Sequence, residues 1–280
     1  MDLKERLHNH LTQIVRDRDP YLSTGGHFFV KQYIQQQLAQ WGEVETHNFE
    51  VEGKTFQNLI LNLPAANNNI QKSPILIGAH YDAVPGTPGA DDNATGVAVL
   101  LEFARIFASE PVKYPIRLVA FDLEEYGLLG SAAYAELLRQ QQQQLRLMIS
   151  LEMLGYCDST PGSQRYPSPL ERFYPKRGDF IALIGNLPTI PDLISLSRHI
   201  RKQKVASEWL PVPNKGKVVR ETRLSDHAPF WDRGYRAMMI TDTAMLRNPH
   251  YHKRSDRMET LNLDFLTGIC RGLIQGIRHL

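Results

Sequence analysis

Apolar residues recur along this chain with two different periods. Leu3, Leu7, Leu11 and Ile14 fall every three or four residues, as do Val30, Ile34, Leu38 and Trp41. That spacing places one stripe on a helix face, so it predicts two opening helices, the second closed by Gly42. In "EVETHNFEVEGKTFQNLILNLP" the apolar positions alternate instead, and Glu52-Gly53-Lys54 marks the turn of a β-hairpin. "PAANNNIQKS", from Pro64 to Ser73, reads as a loop.

From there short apolar runs alternate with helical patterns. "PILIGAH", "IRLVAFD", "LRLMISLEM", "DFIALIG" and "YRAMMITD" read as strands. The segment carrying Val97, Leu101, Ala104 and Phe107 reads as a helix, and so do "GSAAYAELLRQ", "PDLISLSRHIRK" and "DFLTGICRGLIQGIRHL". Strands that alternate with helices predict a three-layer α/β fold. Its central sheet is mixed but mostly parallel, helices cover both faces, and the hairpin adds antiparallel strands at one edge. No linker divides the chain, so residues 1–280 are expected to form a single domain.

Composition narrows the function classes. With 32 basic and 30 acidic residues, the net charge of +2 lacks the basic excess of a nucleic-acid binder. No apolar run approaches the ~18 residues of a membrane span. "MDLKERLHNHL" lacks the apolar core of a signal peptide, which gives a cytoplasmic expectation with a secreted mature form left open. Cys157 and Cys270 are expected to be unpaired thiols. Lys215, Lys217, Arg220 and Arg223 read as a solvated basic loop.

The chemistry gathers at strand ends. In open α/β sheets, sites form beyond the carboxyl ends of the strands. His80 and Asp82 follow "ILIGA", with Asp91 and Asp92 at the start of the next helix. Asp122, Glu124 and Glu125 follow "LVAF", Glu152 follows "LMISL", and Asp242 and then "NPHYHKRSD" follow "AMMI". Singly, each is a capping or surface residue as readily as a ligand. Four such clusters on one sheet edge point to a dication, because crowded carboxylates need a compensating charge. Imidazole and carboxylate without thiolate suit Zn²⁺ or a similar divalent ion, and there are enough groups for two ions sharing a bridging acid.

At these residues the chain resembles the co-catalytic zinc aminopeptidases. The matching stretches are "GAHYDAVPGTPGADDNATGVAVLLEFAR", "VAFDLEEYGLLGS", "SLEMLGY", "SDHAPFWDRGY" and "NPHYHKRSD". The first seventy residues carry no motif. The resemblance implies a metallopeptidase that hydrolyses the N-terminal peptide bond of peptides, with a water activated by two zinc ions. His80 and Glu152 would ligate one ion and Glu125 and His252 the other, with Asp91 bridging both. Glu124 would be the catalytic acid/base, and Asp82, grouped with it as catalytic, would sit behind the ring of His80. Family members often carry Asp where this chain has Glu152, so the extra methylene must be absorbed by the backbone or by altered denticity. The resemblance also implies a cis peptide between Asp91 and Asp92, with helix capping by Asp92, and a role for Asp256 in orienting His252. His250 is the second choice for the histidine ligand. Asp226 is read as a contact behind the site or to substrate, with a helix N-cap at Ser225 or Asp226 as the equal alternative. The alternatives for function are a single-zinc glutaminyl-peptide cyclotransferase of the same fold, a related deacylase or carboxypeptidase, and a catalytically dead binding module. Retention of His80 and Glu152 favours two ions and hydrolysis.

Overall fold

The computed structural model describes residues 1–66, 72–168 and 170–280. Residues 67–71 of the expected Pro64–Ser73 loop lie outside them. Two helices open the chain, α1 (Leu3–Ile14) and α2 (Thr24–Leu38), followed by the hairpin β1 (Val44–Val51) and β2 (Lys54–Leu63). Then come β3 (Ile75–His80), α3 (Gly96–Ser109), β4 (Ile116–Phe121), α4 (Leu129–Gln140) and β5 (Leu147–Glu152). The remainder is β6 (Phe180–Asn186), α5 (Ile190–Arg201), β7 (Ala206–Val212), α6 (His227–Asp232), β8 (Ala237–Thr241) and α7 (Leu263–Arg278).

The eight strands pair in the order β1-β2-β4-β3-β5-β8-β6-β7. At the centre β4, β3, β5 and β8 are parallel neighbours. The hairpin joins through β2, antiparallel to β4, at one edge, as expected. At the other edge β6 runs antiparallel to β8, and β7 is parallel to β6. β7 and the short α6 were not anticipated. "ASEWLPV" offers little alternation and contains a proline, which a sheet tolerates at an edge strand, and an edge is where β7 lies.

Side chains alternate across the strands, so the two faces build separate cores. One packs Ile77, Leu118, Ile149 and Ile240 under α1, α2, α3, α5 and α7. The other packs Leu76, Val119, Met148 and Ala237 under α4 and α6. α6 is only six residues long and covers β8 at its Ala237 end, leaving Met239 and the neighbouring β6 residues to a cleft. Ala182, Ile184 and Met239 there floor this cleft, roofed by the loop between β5 and β6 and by the segment before α6. Among the described residues no helix is long and apolar enough to cross a membrane.

The close fit of β3 to β4 is a sensitive point. A methyl group on Gly78 would come within 2.3 Å of the buried Phe121 ring. Gly78→Ala should therefore overpack the core and lower stability by about 1–3 kcal/mol. Urea denaturation should show a lower midpoint at unchanged slope, with partial recovery when Phe121→Leu is added. An unchanged midpoint would mean that the ring moves freely.

Candidate metal centre

Because β3, β4, β5 and β8 are parallel, their carboxyl ends share one edge. His80 and Glu152 are the last residues of β3 and β5. Glu124 and Glu125 occupy the turn after β4, and His252 lies in the segment after β8. These residues converge. His80 Nε2 is 3.3 Å from Asp92 Oδ1 and 3.6 Å from Glu152 Oε1. His252 Nε2 is 3.2 Å from Asp92 Oδ2 and 3.3 Å from Glu125 Oε2. Asp92 thus turns one carboxylate oxygen toward each histidine.

This corrects the reading of the acidic pair. Asp92, not Asp91, stands between the two histidines. The cis peptide is likewise one residue on, at Asp92–Asn93 rather than Asp91–Asp92. Asp92 and Asn93 both leave the helical angles in the turn before α3, Asp92 with extended backbone, and neighbouring side chains on extended backbone point in opposite directions. Asp91 accepts N–H bonds from Gly155 at 2.8 Å and from the Asn248 side chain at 2.8 Å, tying this turn to the loops after β5 and β8. The capping role falls to Asn93, whose side-chain oxygen accepts the Gly96 N–H, and Asp92 makes no cap bond.

Asp82 is fully buried and accepts the backbone N–H groups of Glu124 and Glu125, both at 3.1 Å, with His80 Nδ1 3.4 Å away. It therefore sets the direction of both glutamates as well as backing the imidazole. Asp256 differs from expectation. Its two oxygens accept the N–H groups of Asp91 and Asp92, so it holds the peptide carrying Asp92 rather than His252. His250 points its ring to Ser255 and joins none of the ligand groups. Asp226 precedes α6 without capping it, and both its buried oxygens lack a hydrogen-bond partner. Ser225 donates to Glu152 Oε2 at 2.7 Å instead of capping a helix. The basic stretch is exposed at Lys215, Lys217 and Arg220, while Arg223 pairs with Asp232 at 2.7 Å.

Two supports had no sequence signal. Arg18, in the charged turn "RDRDPY", is fully buried. All five of its guanidinium N–H groups are used, on the carbonyls of Tyr81, Pro88, Gly89 and Asp92 and on its own neighbour Arg16. It thereby clamps the loop from β3 to Asp92. Below it, the Asp122 carboxylate accepts from His27 at 2.8 Å and from the Tyr81 hydroxyl at 2.7 Å, linking α2 to the ends of β3 and β4. Neither arrangement has a period or motif, because both join segments far apart in the chain.

The electrostatics suit a cation. Both ring nitrogens of His80 and Oε1 of Glu125 are buried without hydrogen-bond partners. The ligand atoms of His80, Asp92 and Glu152 lie within 4.8 Å of one another, as do those of Asp92, Glu125 and His252. Burial pushes the Glu124 carboxyl well above its ordinary range, and Glu152 and Glu125 push it further against the opposing pull of His80. Burial, with Asp92 adding to it, raises Glu125 to about 7. Burial works against ionised Asp92, but His252 and His80 overcome it and hold its carboxylate below the usual range. His252 is raised to about 10, its burial outweighed by Asp92 and Glu125. Without a cation, the cluster balances itself by keeping protons on some of its members. The donor set, imidazole and carboxylate with no thiolate, fits Zn²⁺.

Beside these groups opens a cleft. Its floor is Phe180, Ala182, Ile184 and Met239, and Trp209, Leu210 and Tyr166 add to its walls. Asp92, Glu124, Glu125, Glu152 and His252 close one end.

The chain resembles known proteins over most of its length. The model of "Peptidase family M28" matches residues 58–275. The chain is 36% identical to YfbL of Escherichia coli strain K12 over 87% of its own length and 77% of that protein. It is 35% identical to aminopeptidase YwaD of Bacillus subtilis strain 168 over 45% of its length, a match that spans 28% of YwaD. The fold superimposes on the LapA aminopeptidase of Legionella pneumophila with a TM-score of 0.74 at 20% identity, covering 98% of this chain and 70% of that one.

Two outcomes follow for the centre. Arg18→Met would leave four carbonyls of other segments without their donor, and should cost at least about 3 kcal/mol in urea denaturation. Arg18→Lys should recover only part of this, because an ammonium has three donors and no planar fork. Full stability of Arg18→Met would remove the clamp. The second outcome concerns protons. In the metal-free protein His252 keeps its proton below about pH 10, whereas a ligating imidazole must be neutral. Zinc affinity, measured by chelator competition, should therefore rise with pH from about 6 to 9, and calorimetry in buffers of different ionisation enthalpy should show proton release. A pH-independent affinity would contradict this assignment.

Proposed function

The chain belongs to peptidase family M28, and we propose that it is a two-zinc aminopeptidase. His80 and Glu152 would hold one ion and Glu125 and His252 the other, with Asp92 placed to serve both. The observation that carries this reading is the division of the Asp92 carboxylate, one oxygen toward each histidine. The similarity to aminopeptidase YwaD supports the reaction class.

When bound, the ions supply Lewis acidity that polarises the scissile carbonyl and stabilises the charge developing on its oxygen. The chain's own residues do the rest. Glu124 is half-buried beside His80 and Glu125, and its affinity for a proton is high. It takes a proton from the attacking water and returns it to the leaving amine. Asp82 keeps the backbone of Glu124 and Glu125 fixed, so that Glu125 would hold an ion while Glu124 stays free for the proton. The carboxylates at the closed end of the cleft attract the α-ammonium of a peptide. The apolar floor then receives a large apolar side chain of the N-terminal residue. Burying such a side chain is worth roughly 1.5–3 kcal/mol.

The test is hydrolysis of aminoacyl anilides by the zinc-loaded protein. Leucyl and phenylalanyl anilides should be cleaved faster than aspartyl anilide, and N-acetylated leucyl anilide should not be cleaved. Glu124→Gln should keep both ions while kcat falls by roughly 10²–10⁴ with KM little changed. Glu125→Gln should instead lose one ion. Equal turnover of the acetylated substrate would move the reading to a deacylase or endopeptidase. One tightly bound ion together with cyclisation of N-terminal glutamine would move it to a cyclotransferase.

A further inference from the structure

We infer that the cleft selects an N-terminal arginine or lysine, whose side-chain cation is received by Glu208. This deepens the aminopeptidase reading and rests on it.

The register of the sheet sets how far Glu208 stands from the metal centre. Glu152 of β5 pairs with Thr241 of β8, Thr241 with Ala182 of β6, and Ala182 with Glu208 of β7. Paired residues share a face, so the four form one row across the strands, and all four line the cleft. At the usual strand spacing, three steps put the two glutamates roughly 14 Å apart at the backbone. In an extended lysine, six bonds in zigzag separate the α-nitrogen from the side-chain nitrogen by roughly 7 Å. A polar contact of about 3 Å at each end completes the span. A leucine side chain stops well short of it.

The surroundings suit such a side chain along its length. Ala182 carries only a methyl group, and Phe180 and Ile184 flank it on the same face of β6. That leaves a trough for the apolar stem of a lysine or arginine, whose head stays in a polar setting. Tyr166 and Tyr174 also line the cleft, with ring centroids 6.0 Å apart. The Tyr174 hydroxyl donates to the Trp209 carbonyl, which anchors that ring next to Glu208 in β7. Burial raises both phenols above their ordinary pKa, and the Glu208 charge adds to the rise, against Arg247 in the case of Tyr166. The acid and the two rings therefore share one end of the cleft. A guanidinium there meets a carboxylate and aromatic faces together. The cleft's charge has one sign apart from His252. Glu221 and the acids of the centre line it with Glu208, and among the described residues no lysine or arginine does. Arg201 comes within 3.5 Å of Glu208 from outside the lining, but its guanidinium is bonded to the Ser207 carbonyl. It is half exposed, so water screens this pair.

The experiment compares substrates on the zinc-loaded protein. Arginyl and lysyl anilides should exceed leucyl anilide in kcat/KM. Arginyl anilide should also exceed citrullyl anilide, which has nearly the same shape and no charge. Glu208→Gln should cut the arginyl-to-citrullyl ratio by roughly tenfold, as expected for loss of one charged hydrogen bond. Glu208→Lys should cut it further and raise the rate on glutamyl anilide relative to leucyl anilide. Calorimetry with free arginine, the product, should show a Kd that weakens by a similar factor in Glu208→Gln. A merely structural role for Glu208 would slow all substrates alike and leave the ratio unchanged, which would overturn the inference. So would a wild type that turns over arginyl anilide no faster than leucyl or citrullyl anilide. If the wild type cleaves leucyl anilide without these preferences, only the inference fails. If it cleaves no aminoacyl anilide, the aminopeptidase reading fails with it.

Discussion

Asp92, Glu124, Glu125 and Glu152 meet where water is largely excluded, and like charges in that setting resist ionisation. The pull of His80 and His252 holds Asp92 ionised, while Glu124 and Glu125 are pushed toward their neutral forms. A divalent ion resolves the conflict more completely than protons do, because it stabilises several carboxylates at once. Much of the surrounding architecture keeps these groups from relaxing apart. Asp82 fixes the two glutamates, Asp256 fixes the peptide that carries Asp92, and Asp91 ties the same turn to two further loops.

The carboxylates around the centre thus divide by what they face. Some point their oxygens at one another and at imidazoles. Others point theirs at backbone N–H groups, which are donors that never titrate. Residues of the second kind act as braces. Arg18 does the complementary work with carbonyls, and its positive charge lies near Asp92, Asp256 and Asp82. A cluster of repelling acids is held by fixed backbone dipoles on one side and a buried guanidinium on the other.

The sheet order explains why the cleft lies beside the centre. The four strands that carry the acids are parallel neighbours, so their ends coincide. Beyond β8 the direction reverses at β6, and β6 turns Phe180, Ala182 and Ile184 to the cleft. The result is an apolar floor of Phe180, Ala182 and Met239 immediately next to the charged edge. An ammonium and an apolar side chain on the same carbon would find both surfaces within one residue's reach.

The sequence by itself determined the layer architecture, since the switch from helical to strand periodicity locates β3, β4, β5 and β8 and places His80, Glu124, Glu125 and Glu152 at their ends. It also determined that these acids share one edge, because parallel strands can end together in only one way. It did not decide between Asp91 and Asp92. Two identical neighbours carry no information about direction, and only the extended backbone at Asp92 sends one carboxylate inward and the other back into the loops. Nor could it reveal Arg18, the Asp122 network, or the hydrogen bond from Ser225 to Glu152. Those contacts join residues tens of positions apart through single hydrogen bonds, and a hydrogen bond between distant segments leaves no period in a sequence.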